Sequence, residues 1–217
     1  GDMTLAFFTH FEDELVFNGA ETQTFRSNDQ FVANLRTTGK ADGNGLLIAD
    51  NDIYQTGAAR TTTIESGWLD IATNDRGWIA DTNAALPVAN SFRGIAGSLV
   101  LSPGTELRCG NLYTAAAYAV THSGAAMSTL RADGDVDFNG TLANTAYSTL
   151  RMTGSLATLD ATTELGHLAI AGSIILDSTI ELSHNLDIES GYLDASTSNY
   201  NITLSGHWTN DVGNAGF

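Results

Sequence analysis

Residues 189–217 read ESGYLDASTSNYNITLSGHWTNDVGNAGF, and this stretch decides the fold class. Its short runs of alternating apolar residues are separated by Gly, Asn, Ser and Asp, which favour turns and interrupt helices. Such a pattern is typical of short strands joined by tight corners. Most of the chain repeats some part of it, and no window shows a clean helical stripe of apolar residues. We therefore predict an all-β protein.

Internal repeats indicate how these strands are arranged. The tetrapeptide STLR at residues 128–131 returns at 148–151, twenty residues later. Farther on, HLAI at 167–170, NLDI at 185–188 and NITL at 201–204 follow one another at spacings of 18 and 16 residues. Periods of this length are typical of solenoids, in which each repeat forms one coil. The sequence therefore predicts a right-handed parallel β-helix, with a two-sheet β-sandwich as the alternative.

A longer repeat divides the chain in two. FNG occurs at residues 17–19 and again at 138–140, while ESGWLD at 65–70 is matched by ESGYLD at 189–194. The two offsets, 138 minus 17 and 189 minus 65, are 121 and 124 residues, which is nearly one value. We therefore predict that residues 1–217 form a single solenoid domain made of two related halves, at about 11–130 and 131–217.

One region of the first half interrupts the regular pattern. Residues 75–93 carry Pro87, Trp78 and several alanines, and they lack the alternation seen elsewhere. Prolines and irregular spacing mark loops between periodic segments. We predict an irregular insertion here, which explains why the first half is longer and its repeats are less regular.

The charge balance excludes one class of partner. The chain holds 25 acidic and 9 basic residues, for a formal net charge of −16. Nucleic-acid binding needs a basic stripe that this chain cannot assemble. An acidic surface instead keeps a protein soluble and attracts cations. We predict no nucleic-acid partner.

Other features of composition bear on compartment. Cys109 is the single cysteine, so neither an intrachain disulfide nor a CxxC site can form. No apolar run has the length of a membrane-spanning helix, so we predict no membrane insertion. The first residues, GDMTLAFFTHFEDE, lack the features of a signal peptide. We therefore expect a mature form or a fragment of a longer chain.

Several strings together carry a family resemblance. LVFNGAETQTF, NLRTTG and ESGWLD in the first half, and DFNG, NLDIESGYLD and NITLSGHWTN in the second, resemble the repeats of large bacterial surface and secreted β-solenoid proteins. The resemblance covers nearly all of the second half and the start of the first. It implies an extracellular or cell-surface location and a structural, adhesin-like role. Its motifs specify fold more than activity.

The order of these motifs predicts self-assembly. In the repeats that the chain resembles, WTN is followed by the next VFNG, so the end of this chain fits its beginning. A solenoid end exposes unpaired backbone groups that can receive another coil. We predict that the chain is a module of a covalent repeat array or a subunit that stacks head to tail on itself. The predicted contact residues are Leu15, Val16, Phe17, Phe25, Trp208, Val212 and Phe217.

Two acidic loops have the composition of calcium sites. Oxygen-rich loops of this kind hold Ca²⁺, but the same sequences are common at corners and hairpins. We favour turns and keep Ca²⁺ as the one candidate cofactor. The candidate ligands are Asp42, Asn44, Asp50 and Asp52 in the first loop and Asp133, Asp135 and Asp137 in the second, where alternation within a strand would place all three carboxylates on one face.

No catalytic motif stands out. The chain lacks a nucleophile elbow, a Walker loop and a dinucleotide fingerprint, and its five histidines do not have metal-ligand spacing. We therefore predict no enzymatic activity. The alternative function is a carbohydrate-binding or carbohydrate-cleaving module, with surface glycans as partners, because five aromatic residues have the chemistry to stack on sugars. These residues are Trp68, Trp78, Tyr192, Tyr200 and Trp208.

Overall fold

The computed structural model describes residues 2–4, 11–26, 31–50, 52–56, 60–81 and 89–213. Strands in this part of the chain are numbered in chain order. The first eight are β1 Met3–Thr4, β2 Phe11–Asn18, β3 Gln23–Arg26, β4 Phe31–Thr38, β5 Gly45–Asp50, β6 Ile53–Thr56, β7 Thr61–Ile64 and β8 Trp68–Asp70. The next eight are β9 Trp78–Asp81, β10 Ser91–Gly94, β11 Gly97–Leu101, β12 Glu106–Cys109, β13 Asn111–Thr114, β14 Tyr118–His122, β15 Ser128–Ala132 and β16 Val136–Phe138. The remainder are β17 Thr141–Ala143, β18 Ser148–Met152, β19 Ser155–Ala161, β20 His167–Leu176, β21 Ile180–Leu182, β22 Leu186–Asp194, β23 Ile202–Leu204 and β24 Trp208–Asn210.

The chain winds around three faces. Face 1 holds the last parts of β2 and β4, then β7, β11, β14, β17, β21 and β23 in winding order. Face 2 holds β1, β3, β5, β8, β12, β15, β18, the first part of β20, the first part of β22, and β24. Face 3 holds the first parts of β2 and β4, then β6, β9, β10, β13, β16, β19 and the last parts of β20 and β22. The winding makes about eight turns.

Every strand pairing among the described residues is parallel. Each strand therefore lies on the equivalent strand of the previous coil, which is the arrangement of a β-solenoid. This confirms the predicted parallel β-helix. The alternative, a β-sandwich, is wrong because neighbouring strands in such a fold run antiparallel.

A continuous apolar column fills the interior behind face 2. One residue from each coil stands in register with the next, and the column ends at Trp208. Its leucines are all buried, because strand alternation turns every second side chain inward. They are Leu46, Leu69, Leu107, Leu130, Leu150, Leu168 and Leu186. We call this set the leucine column.

The predicted insertion is present and adds the strand β10, but the prediction that all of residues 75–93 are irregular is wrong, because β9 is a regular strand in register with β6. β9 pairs with β10 on face 3, whereas the coils before and after it pair directly on face 1 and face 2. Face 3 therefore gains one strand that the other faces lack. Trp78 and Phe92, from these two strands, are fully buried and their rings stack 5.9 Å apart. Pro87 lies outside the described residues.

Glycines let the backbone of successive coils approach closely where face 2 turns into face 3. A Cβ on Gly191 would lie 1.9 Å from the carbonyl oxygen of Gly172, and a Cβ on Gly172 would lie 2.0 Å from that of Gly154. Gly191 also has a φ of +75°, in the left-handed region that favours glycine. This corner therefore has no room for a side chain.

The short sequence repeats correspond to stacked strands with one exception. STLR at 128–131 lies in full register on 148–151, and HLAI at 167–170 stacks on NLDI at 185–188. NITL does not continue this stack, because Ile202 pairs with Ile180 on face 1. The strand that does continue it is β24. The predicted periods of 20 and 18 residues are confirmed, and the third member of the series is wrong.

The longer repeats occupy different faces. Phe17 is the second-last residue of a strand of face 1, while Phe138 ends a strand of face 3, and a corner follows each strand. ESGWLD leads into face 2 and ESGYLD into face 3. These motifs share the local form of a glycine corner joined to a strand. Two related halves stay a prediction.

Candidate functional site

The residues of the first acidic loop lie at two different corners. Asp42 and Asn44 lie between face 1 and face 2, whereas Asp50 ends β5 and Asp52 precedes β6, between face 2 and face 3. Asn44 holds its corner to the preceding coil, since its Oδ1 accepts a hydrogen bond from Thr22 Oγ1 at 2.9 Å and its Nδ2 donates to the Ala20 carbonyl at 3.0 Å. Asp42 is exposed at the tip of the turn. The Oδ1 of Asp52 accepts a hydrogen bond from the Gly77 backbone N–H at 2.7 Å, and the side chain of Asp50 lies outside the described residues.

The second acidic loop also joins neighbouring coils. Asp133 accepts hydrogen bonds from Arg131 Nε at 2.9 Å and from Thr153 Oγ1. Asp135 accepts from Thr158, at 2.8 Å from the backbone N–H and 3.0 Å from Oγ1. Both carboxylates therefore bind side chains or backbone one coil farther on.

Asp137 is separate from the other two carboxylates of that loop. It is the one member of the three that lies in a strand, β16, so alternation within a strand does not align the set as predicted. Asn139 Nδ2 donates a hydrogen bond to its carboxylate. Partial burial, together with the nearby charge of Asp160, raises the pKa of Asp137. Among the described residues, no three His, Cys, Asp or Glu side chains come close enough to hold a metal ion.

We expect calcium to leave the thermal unfolding midpoint of this protein unchanged. The candidate ligands point to separate partners: Asn44, Asp52, Asp133 and Asp135 bind groups on a neighbouring coil, and Asp137 binds Asn139 of its own coil. Differential scanning fluorimetry with added calcium, and with magnesium as the control ion, measures the effect. A rise in the midpoint with calcium but not with magnesium would contradict this expectation and identify a selective site.

The predicted contact residues of the first coil lie mostly in the core. Leu15, Phe17 and Phe25 are buried, and the rings of the two phenylalanines are 5.0 Å apart. Val16 points outward and is 41% exposed. Alternation along β2 and β3 therefore divides this group, with one side chain on the surface and the others packed inside the solenoid.

In the last coil, the apolar side chains are more exposed than in the first. Trp208 occupies the next position of the leucine column, because it pairs with Leu186, but it is 52% exposed. The neighbouring side chains Ile202, Leu204 and Val212 are only partly buried against the core. Within the described part of the chain, β24 pairs with β22 alone. Phe217, the remaining predicted contact, lies outside the described residues.

The tryptophans offered as sugar platforms have their ring faces covered, apart from Trp208. Trp78 is fully buried. One face of Trp68 packs on the backbone of Gly45, where a Cβ would meet the indole at 2.3 Å, and the Arg108 guanidinium lies 4.7 Å from the ring centroid on a neighbouring coil. Its Nε1 donates to the Gly43 carbonyl at 3.1 Å. Trp68 therefore has a structural role in packing three coils together.

The two tyrosines line an open depression of about 730 Å³ next to the end of β22. Tyr192 and Tyr200 are both half-buried, so part of each side chain faces solvent. The turn at residues 195–200 forms one wall and the last residues of β22 form the other. The sequence identified the two tyrosines by residue type, but nothing in it indicated that Asp194 and Asn199 would lie beside them.

A buried pair, His122 and Ser128, has no access to a substrate. His122 follows Leu101 in an interior column of face 1, and its Nδ1 forms a hydrogen bond with Ser128 Oγ. Both residues are buried, and the His122 Nε2 has no hydrogen-bond partner. Burial lowers the pKa of His122 to about 4. This arrangement makes His122 a neutral core residue at physiological pH.

A pair of histidines, His167 and His184, lies on the outside of the solenoid. The rings of His167 and His184 stack with centroids 4.9 Å apart and an interplanar angle of 9°. Partial burial is the main reason that the pKa of His167 is lowered, and the backbone of Ala146 and the nearby His184 modify it. Parallel stacking of the two rings indicates packing between coils.

The helical content of the described residues is small. It consists of the three-residue 3-10 turn Thr145–Tyr147, and no helix there has the length and apolar content to cross a bilayer.

Similarity to known proteins does not assign this chain to a family. No protein-family model matches the chain, and the comparisons with curated proteins and with solved structures found no significant match.

Proposed function

We propose that this chain is an extracellular structural or adhesive element, without enzymatic activity, that builds filaments or repeat arrays by end-to-end stacking of coils. The observation that carries the proposal is the position of Trp208. It continues a column of seven buried leucines, yet it is half exposed. A large apolar side chain at the end of a core column is suited to packing against a further coil.

The backbone at this end supports the same proposal. Within the described residues, the backbone of β24 is hydrogen-bonded to a strand on one side only, which is β22. Its other edge therefore offers N–H and C=O groups to a parallel strand. Every earlier coil uses such an edge to receive the next one. We take the occupant to be a coil from a second copy of the chain, because the solenoid already packs coils of similar length and pattern on one another.

The acidic surface limits where copies can meet. With a net charge of −16, the sides of two copies repel each other at low ionic strength. Contact through the last coil, where Trp208, Ile202 and Leu204 are apolar and not fully buried, reduces this repulsion relative to side-by-side contact. Charge therefore favours linear growth, as does the resemblance to bacterial surface repeats.

Replacing Trp208 with serine is expected to prevent this association. The change removes the apolar contact but leaves the remaining interior column intact. Leu156→Ser is a matched control, because Leu156 is also apolar and 63% exposed but lies on the side of the solenoid. Sedimentation velocity over a concentration series, with electron microscopy of concentrated samples, measures assembly.

We expect the wild type and Leu156→Ser to form larger species as concentration rises and Trp208→Ser to stay small. A wild type that remains monomeric at every concentration would refute the proposed function. Equal assembly of both variants would show that the contact between copies does not involve Trp208. The alternative function, carbohydrate binding, is favoured by the depression next to β22 and is developed below.

A further inference from the structure

We propose that the depression beside Tyr192 and Tyr200 binds a short neutral oligosaccharide. Its volume of about 730 Å³ lies in the range of small-molecule sites, which is roughly 300–1,000 Å³. The site does not rest on end-to-end stacking, since Trp208 is not part of its lining. The polar and aromatic side chains that line it are Tyr192, Asp194, Ser196, Asn199, Tyr200 and Asn201.

The side chains in this depression match the two kinds of surface that a sugar presents. The C–H faces of a sugar ring pack on aromatic rings, while its hydroxyl groups exchange hydrogen bonds with carboxylates and amides. Tyr192 and Tyr200 supply the aromatic part. Asp194, Asn199 and Asn201 supply acceptors and donors within the same depression.

The carboxylate of Asp194 is held in a fixed orientation. Its Oδ1 accepts hydrogen bonds from the Ser196 backbone N–H at 2.7 Å and from Ser196 Oγ at 2.6 Å. These two bonds lower the pKa of Asp194, so the group stays ionised at neutral pH. Because both donors bind one oxygen, Oδ2 remains to accept a ligand hydroxyl. Fixing this side chain beforehand reduces the entropy lost on binding.

Charge selects a neutral ligand over an acidic one. Asp194 is the one charged residue in the lining of the depression, and the chain as a whole carries a charge of −16. A uronate or sulfated sugar would be repelled by both. A single carboxylate in the lining also favours binding over cleavage, because most glycosidases need a pair of carboxylates on either side of the scissile bond.

Titration calorimetry with neutral disaccharides of glucose, galactose and mannose tests the proposal, and digalacturonate serves as the acidic counterpart. The measurements use both the wild type and the Trp208→Ser variant, so that assembly cannot hide the site. We expect at least one neutral disaccharide to bind both proteins, and digalacturonate to bind more weakly. Tyr192→Ala and Asp194→Asn should each weaken that binding roughly tenfold or more.

Tyr147→Ala is the control, because Tyr147 is also a half-buried tyrosine but lies on the 3-10 turn and away from the depression. Its affinity should equal that of the wild type. Absence of binding by all three neutral disaccharides in both backgrounds would overturn the proposal. So would binding that neither Tyr192→Ala nor Asp194→Asn changes, or a preference for digalacturonate. Asp194→Asn keeps the test valid if Tyr192→Ala lowers the thermal midpoint.

Discussion

Gly191→Ala is expected to destabilise the last coils by about 3–5 kcal/mol, which is at the upper end of single-substitution effects. The new Cβ would lie 1.9 Å from the Gly172 carbonyl oxygen, so the backbone of two coils must separate. The left-handed φ of +75° adds a second penalty of roughly 1–2 kcal/mol for a residue with a Cβ. Because each coil of a solenoid contacts only its neighbours, the damage should be local.

Gly104→Ala separates these two causes. Gly104 has the same φ of +75°, but no heavy atom lies within 4 Å of the position that its Cβ would take. We expect this variant to lose about 1–2 kcal/mol, from the backbone conformation alone. Urea denaturation gives the free energies of unfolding, and hydrogen exchange shows which coils lose protection. Equal destabilisation by the two variants would show that the close contact at Gly191 relaxes without penalty.

Acidification is expected to lower the free energy of unfolding through His122. Its pKa is about 4 in the folded protein and about 6.5 when exposed, so the unfolded chain binds more protons between these values. Stability therefore falls as the pH drops from about 6.5 toward 4, by roughly 3 kcal/mol for a shift of this size. Above this window, His122 is neutral in both states and contributes no slope.

His122→Gln removes the titrating group but keeps a polar side chain beside Ser128. Chemical denaturation of the wild type and the variant at a series of pH values between 4 and 7 measures the difference. The variant should lose less stability on acidification than the wild type, although it starts from a lower value at pH 7. His207→Gln is the control, because His207 is a histidine on the outer surface. Parallel pH profiles for the wild type and His122→Gln would contradict the assignment.

The coil could be predicted from the sequence because equivalent positions repeat at short distance. STLR recurs in full register since its strand requires the same alternation in both coils. The prediction that NITL continues the HLAI–NLDI stack is wrong because strands on all three faces have the same alternating pattern. Four residues of that pattern do not identify the face on which a strand lies. Corner lengths differ along the chain, so spacing alone does not fix the face either.

The site could be predicted only in part, and for a related reason. Tyr192 and Tyr200 were identified by their residue type, but so was Trp78, which is fully buried. The acidic loops have the composition of calcium sites, yet Asp133 binds a group 20 positions away in sequence and Asp135 binds one 23 positions away, each one coil farther on. Contacts between coils depend on which residues of neighbouring coils lie opposite one another, and the pattern of residue types along the sequence does not specify this.

The extra strand on face 3 has a geometric consequence for any array. Neighbouring strands are about 4.8 Å apart, so β10 lengthens face 3 by that amount while the other two faces gain nothing. We therefore expect the coils before and after this point to tilt relative to one another, with the axis bending away from face 3. Copies joined end to end would repeat the bend once per subunit. Such a fibre would follow a superhelical path instead of a straight one.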